Sequence, residues 1–345
     1  MGEVKMKATI YDVAREAGVS IAAVSQVING KGKISEERRN KIFAIMEELN
    51  YRPSLIASAL TGKKTFTLGL LVPDISNPFF AEIAHAVEDQ AHLLGYSVVM
   101  CSTHNDDERI ERYLTLLQQK SMDGLIIGTG MDNVELLSPL VSKEIPIVSI
   151  ARETLSPYVI PVLVGDFAGG QLAAHHLLGQ GHTRIAIIAE DLKVSSSRER
   201  IRGVREAMEE AGLELPEDRV LAGGNDLLQS GKRRALKLLQ QAADRPTALF
   251  CCNDLLAIGA LQAAKELGIR VPEELSIVGF DNTILASVTD PPLTTIAQPI
   301  EEMGKLAVDL LISELGKKPE DRTHSRTVIE PELVVRKSTG TIGHT

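Results

Sequence analysis

The sequence predicts an α/β protein: two lobes of parallel β-sheet flanked by helices, preceded by a small all-α head. Three observations predict it. The first 50 or so residues place apolar side chains at three- and four-residue spacing, the period of short helices. From Phe66 onward, short aliphatic runs alternate with amphipathic stretches, the grammar of parallel strands joined by covering helices. Charge is split as well: residues 1–64 hold 11 Lys plus Arg against 7 Asp plus Glu, a net +4, whereas the rest carries 26 against 39, a net −13. That is the balance of a small anion-binding head on an acidic body.

Three helices are expected in the head. Thr9 opens a T-I-Y-D string that can cap the first helix, with Asp12 reaching back, and Gly18 permits the tight turn that ends it. Ser20 is a good N-cap for the second, whose Val24, Val27 and Ile28 share one face while Ala22, Ser25, Gln26 and Asn29 share another. The third starts at Ser35, carries Glu36 and Glu37 in its first turn, buries Ile42, Ile45, Met46 and Leu49, and stops at Arg52-Pro53. The following SLIASALTGKK is too short for a helix stable alone in water and reads as a conditional one.

In the body the predicted strands are TLGLLV, SVVMCS, DGLIIG, PIVSI, PVLV, RIAII, RVLA, TALFCC and LSIVGF, with LTTIAQP and VIEPELVVRK as further crossings. So many strands exceed one comfortable sheet, hence two lobes and a cleft, with the break near Pro157–Pro161. The expected organisation is a head over 1–53, a hinge and linker over 54–65, a core over 66–338 and a tail over 339–345. Within the core, lobe 1 is expected at about 66–160 plus 294–322, and lobe 2 at about 161–293 plus 323–338.

With 345 residues, 44% of them apolar and 24% charged, the chain has the composition of a folded soluble protein of two or three domains. No signal-like N-terminus and no run of about 18 apolar residues is present, so a cytoplasmic protein without a membrane partner is expected. The three cysteines form no CxxC and read as reduced, buried thiols. His175, His176 and His182 read as surface and turn residues, since adjacent helical histidines point apart, so no metal and no cofactor is expected. TGKKT lacks the first glycine of a P-loop, GTGMDN lacks the third glycine of a dinucleotide fingerprint, and no G-x-S-x-G elbow occurs. Catalysis is unsupported.

The string TIYDVAREAGVSIAAVSQVINGKGKISEERRNKI resembles the helix-turn-helix head of the lactose/galactose repressor family. NYRPSLIASAL is similar to that family's hinge, VPDISNPFFAEI to the start of its effector core, and CCNDLLAIGALQAAKELGIRVPEELSIVGFDN with PPLTTIAQP to its second half. The resemblance implies a periplasmic-binding-protein-like core behind the head, and a homodimeric repressor that binds double-stranded operator DNA under control of a small sugar. Base-reading positions then fall on Ile21, Ala22 and Gln26, with Ser20, Ser25 and Asn29 placed for phosphate or base contacts, Thr9, Tyr11 and Ala57 completing the set, and Leu60 as a minor-groove wedge. Gln26 departs from the arginine of many members and suits adenine rather than guanine. Ser54 and Ser58 depart from the hinge asparagine and arginine.

The effector set is similar to that of ribose-type binding proteins: Asn77, Phe79 and Phe80 from SNPFF, Arg152, Arg200, Asn253, Asp281 and Gln298, with Asp166 and Ser196 as further lining. Ala151 stands where that pattern has an aspartate, and Asp226 where it has an aromatic. An apolar face beside amide, carboxylate and guanidinium groups suits a polyhydroxylated ring. A ribose-like pentose is therefore expected, against a purine- or phosphosugar-responsive corepressor of the same family, a transport-type sugar-binding protein, or an α/β enzyme.

Overall fold

The computed structural model describes residues 8–28, 34–51, 64–131, 133–154, 156–224, 226–240, 245–322 and 325–342. The chain divides into two compact units, Met1–Thr65 and Phe66–Thr345.

In the first unit, helices α1 (Ile10–Ala17), α2 (Ile21–Ile28) and α3 (Glu36–Glu48) close on one core of Val13, Ala14, Ala17, Val24, Val27, Ile42, Ile45 and Met46. The Asp12 carboxylate accepts the Thr9 amide at 2.9 Å and the Thr9 hydroxyl at 2.7 Å, fixing the start of α1. Gly18 ends the helix at φ 68°, a left-handed conformation that glycine adopts without a Cβ penalty. Ser20 Oγ accepts the Ala23 amide at 3.2 Å and starts α2. The turn between the two helices is thus written in side-chain chemistry at both ends.

Among the described residues the second unit holds two six-stranded sheets. One contains β1 (Thr67–Val72), β2 (Ser97–Ser102), β3 (Gly124–Ile127), β4 (Ile147–Ile150), β5 (Val159–Val164) and β11 (Thr327–Ile329) in the order β11-β5-β4-β3-β1-β2, all parallel. The other contains β6 (Ile185–Ile188), β7 (Val220–Leu221), β8 (Ala248–Cys251), β9 (Ser276–Asp281), β10 (Thr294–Ala297) and β12 (Glu332–Val334) in the order β12-β10-β9-β8-β6-β7, with only β12 antiparallel. Central strands such as β3, β4, β6 and β8 are buried along their whole length, as a parallel sheet covered on both faces requires.

Among the described residues the chain crosses between sheets three times, at places displaced from the expected boundaries. β5 lies wholly in the first sheet, and Pro161, expected to mark the break, sits inside it opposite Ser149. β10 belongs to the second sheet, so the stretch expected to return to lobe 1 from residue 294 does so only with the Ile300–Ser313 helix, which packs on β3, β4, β5 and the Pro78–Leu93 helix. β11, expected in lobe 2, pairs with β5, and β12 alone of the last strands is in lobe 2. Strands were legible as apolar runs, but run composition carries no information on which sheet a strand joins. The expected tail is also shorter: Thr339 and Gly340 bond His176 and His182, and the Ile342 amide reaches the Gln180 carbonyl.

Two helices of lobe 2, Asp166–Gly179 and Ser195–Glu210, cross with their backbones in contact. A Cβ on Gly170 would stand 2.1 Å from the Arg200 carbonyl oxygen, and one on Gly203 2.1 Å from that of Phe167. This crossing sets Asp166, at the start of one helix, beside Arg200 on the other.

Candidate nucleic-acid interface and effector cleft

In the head, Val24 and Val27 turn into the core while Ile21, Ala22 and Gln26 are exposed on the opposite side of α2. This helix therefore exposes two apolar side chains and one amide away from the core. Ser25 is half-buried and Tyr11 is exposed on α1. Thr9 and Ser20 are exposed, but the Thr9 hydroxyl proton is committed to Asp12, whose carboxyl that bond and the Thr9 amide hold below its usual range. Asn29, Ala57 and Leu60 lie outside the described residues, as do Ser54 and Ser58.

In the body, polar side chains gather where the strands of the second sheet end, the usual place for ligands in parallel sheets. Arg200 is the centre: its Nε donates to Asp166 Oδ1 at 2.8 Å, its Nη1 donates to the Cys252 carbonyl and lies 3.9 Å from Asp281 Oδ1, and its guanidinium sits 3.6 Å from the centre of the Phe280 ring. The side chain is only 6% exposed. Burial pushes the Asp281 carboxyl well above the ordinary carboxylate range, against the pull of Arg200, and raises Asp166 for the same reason. Burial alone would lower Arg200, but the two carboxylates outweigh it and raise it.

Gln298 Nε2 donates to Asp281 at 2.6 Å, while its buried Oε1 has no partner among the described residues. Asn253 caps the Asp254–Glu266 helix by accepting the Leu256 amide at 2.8 Å. Behind it, Asp254 accepts from the Thr283 amide at 2.8 Å and the Thr295 hydroxyl at 2.7 Å, with its carboxyl pushed up to about 6 by burial. Cys252 is pushed up to about 12, again by burial, so it stays a neutral thiol.

The structure thus brings Asp166, Arg200, Asp281 and Gln298 into one network, with Ser196 and Asn253 buried on the elements that carry it. Other expected residues go elsewhere. Asp226 is exposed and caps the Leu227–Leu239 helix by accepting the Gln229 amide at 3.1 Å. Asn77 likewise accepts the Phe79 amide at 3.1 Å. Phe79 and Phe80 pack edge to face at 5.0 Å inside the lobe 1 core, so both are core side chains here rather than an open stacking face.

Arg152, after β4, stands 4.0 Å from Glu190, after β6, and the Ile284 amide donates to Glu82 at 3.0 Å; both contacts join the two lobes. Beside Arg152 lies a chamber of about 560 Å³ between them. Lobe 1 contributes Asn105, Thr129 and Ser149 to it, and lobe 2 contributes Lys193, Ser195 and Arg198. None of these six, nor Glu190, was singled out by sequence. A weak signal existed: Asn105, Thr129 and Glu190 each follow closely on a strand end, as Arg152, Asp166, Asn253 and Gln298 do.

Comparison with known proteins matches both units. Residues 9–54 match the family described as bacterial regulatory proteins, lacI family, and residues 174–339 the periplasmic binding protein-like domain. A reading head joined to a two-lobed ligand-binding body defines a DNA-binding transcriptional regulator under effector control, not an enzyme. The chain belongs to the lacI family. It is 46% identical over 338 residues to the HTH-type transcriptional regulator DegA of Bacillus subtilis (strain 168), covering 97% of this chain and 98% of that one. It is 39% identical over 334 residues to the HTH-type transcriptional repressor PurR of Aliivibrio salmonicida (strain LFI1238), covering 96% and 98%. Among solved structures it is similar to the lac repressor dimer bound to operator and the anti-inducer ONPF, with a TM-score of 0.83, 30% identity, and coverage of 96% and 99%. Among the described residues no helix is long and apolar enough to cross a membrane.

Proposed function

We propose that the protein is a homodimeric repressor that binds a pseudopalindromic operator through α2 and releases or tightens it in response to a small polyhydroxylated effector, a ribose-like pentose by preference, held around Arg200. The observation that carries the effector reading is the buried network of Arg200 with two carboxylates and Gln298, whose free Oε1 waits for a donor such as a sugar hydroxyl. Leaving such an acceptor unpaired is costly, and a polyol hydroxyl both donates and accepts.

Ile21 and Ala22 suit thymine methyl groups and Gln26 suits adenine, which supports reading by α2 in a major groove. Ser20, Ser25, Thr9 and Tyr11, with Asn29, Ala57 and Leu60 of the undescribed segments, complete the proposed DNA contacts. Exposed Leu93 and Leu94 lead into the edge strand β2, which itself exposes Val99 and Met100; this apolar border supports pairing with a second copy, and the similar lac repressor structure is of a dimer.

The test is selection of duplexes from a random library by the full-length protein at moderate salt, followed by anisotropy titration with and without monosaccharides. The expected result is a pseudopalindromic preference whose affinity shifts with one pentose. No sequence preference would remove the operator reading, and a preference indifferent to every sugar would remove the effector reading.

A further inference from the structure

The Ser195–Glu210 helix opens on the chamber beside Arg152, and among the described residues no side chain caps it: Val194 occupies the N-cap. The first-turn amides of a 16-residue helix are therefore left as donors, at the positive end of the helix dipole. An independent observation comes from the opposite wall. Ser149, in β4, is 1% exposed, lines the same chamber, and its Oγ has no hydrogen-bond partner among the described residues.

The charges around the chamber point the same way. Arg152 lines it at 12% exposure, and Arg198 is pinned at its rim by donating Nη1 to the carbonyls of Leu192 at 2.7 Å and Lys193 at 2.8 Å, neither of which neutralises it. Of the acids nearby, Glu153 is paired with Arg326 at 3.0 Å, Asp191 accepts the Lys193 amide at 2.9 Å, and Glu190 stands 4.0 Å from Arg152, a long contact that leaves the guanidinium donors open to a ligand. What remains is an excess of donors: a guanidinium and an unpaired hydroxyl on one wall, facing a helix start on the other.

We propose that this chamber is an oxyanion subsite and that the effector is a sugar phosphate, its hydroxyls at the Arg200 network and its phosphate monoester between Arg152, Ser149 and the Ser195 helix start. The inference rests on the cleft being the effector site, as proposed above. A neutral sugar would satisfy the Arg200 network but leave the chamber's donors to water, whereas a phosphate supplies three acceptor oxygens for them.

Isothermal calorimetry on the full-length protein tests it with matched ligands: ribose and ribose 5-phosphate, glucose, glucose 6-phosphate and glucuronate, and inorganic phosphate alone. One phosphate ester is expected to bind at least about 10-fold tighter than its neutral parent, with an advantage that shrinks as ionic strength rises. Arg152→Gln should erase most of that advantage and Arg152→Lys restore part of it. The salt dependence, read on the unaltered protein, keeps the test decisive should the variants misfold. A neutral sugar binding as tightly as its ester overturns the oxyanion subsite and leaves the sugar-responsive repressor standing. Glucuronate outcompeting every ester overturns the phosphate assignment, and inorganic phosphate accounting for the whole signal overturns the joint site. Silence from all sugars and esters, with operator binding intact, overturns the cleft reading itself.

Discussion

Gln26 stands on the exposed side of α2, and its amide matches the adenine edge where an arginine would match guanine. Gln26→Arg is therefore expected to change the preferred base pair at one position of each half-site, by about 1–3 kcal/mol of discrimination, in anisotropy titrations against single-base operator variants. An unchanged preference would place Gln26 off the bases. In the body, Arg200→Ala would remove the cation that partners the largely buried Asp166 and Asp281, and a loss of about 3–5 kcal/mol in denaturant unfolding is expected. Asp281→Asn should cost clearly less, because burial already drives that carboxyl toward its neutral form. Equal losses would mean that Asp281 is a fully charged partner. Asp166, Asp281 and Gln298 were legible as carboxylate and amide groups at the ends of apolar strands, where no core would hold them unpaired, whereas Arg200 lies inside a helix and was legible only through the ribose-type pattern. Asp226 misled because the residue types that bind ligands also cap helices. Ser149 gave no signal, since one small hydroxyl inside the apolar run IVSI looks like any strand residue.

At the scale of elements, the crossing of the Asp166–Gly179 and Ser195–Glu210 helices decides whether that network forms at all. Gly170→Val would drive a branched side chain into the Arg200 carbonyl, part the helices and pull Arg200 from Asp166. A destabilisation of at least about 1–3 kcal/mol is expected, together with loss of effector-dependent thermal shift; retention of both would show that the crossing tolerates separation. Sequence reading found the helices but not their glycine contact, because a glycine within a helical pattern does not announce what lies against it. A second element, the C-terminal strip, is held by His182, whose Nε2 meets the Gly340 carbonyl at 3.0 Å and whose Nδ1 meets the Thr247 hydroxyl at 3.0 Å. Burial lowers the His182 pKa and, likewise, that of His176. The unfolded ring takes its proton near pH 6.5 and the folded one only at lower pH, so this contribution is complete above about 6.5 and is lost progressively as pH falls from there through the lower folded pKa. Buried Asp254, raised to about 6, acts in the opposite sense, so the difference between proteins is the readout. Thermal unfolding from pH 7.5 to 5.5 should fall more steeply in the unaltered protein than in His182→Asn, and parallel curves would exclude the ring as the source.

For the whole molecule, the strands, the two lobes and the family were legible early, whereas the routing of the chain between lobes was not. Sheet membership is decided by long-range pairing, such as β11 joining β5 and β12 turning back to β10, and by the helices that close over each sheet. That routing matters for function: three crossings connect the lobes, and the Arg152–Glu190 and Ile284–Glu82 contacts span them directly. A ligand that engages Arg200 in one lobe and Arg152 in the other therefore has different contacts when the lobes open, which is the differential interaction any switch needs. If this body biases the head's hold on its operator, the bias must be reciprocal. The factor by which effector changes the operator Kd equals the factor by which operator changes the effector Kd, about 5–150-fold for a coupling of about 1–3 kcal/mol. Both factors can be measured on one preparation, the first by anisotropy with effector saturating, the second by calorimetry with operator saturating. Weakening of the cross-lobe contact by Glu82→Ala should change both factors equally while leaving the base preference of the operator in place. Unequal factors would show that effector and operator act on different populations of the protein, and a Glu82→Ala variant with both factors intact would show that the coupling runs by another route than this contact.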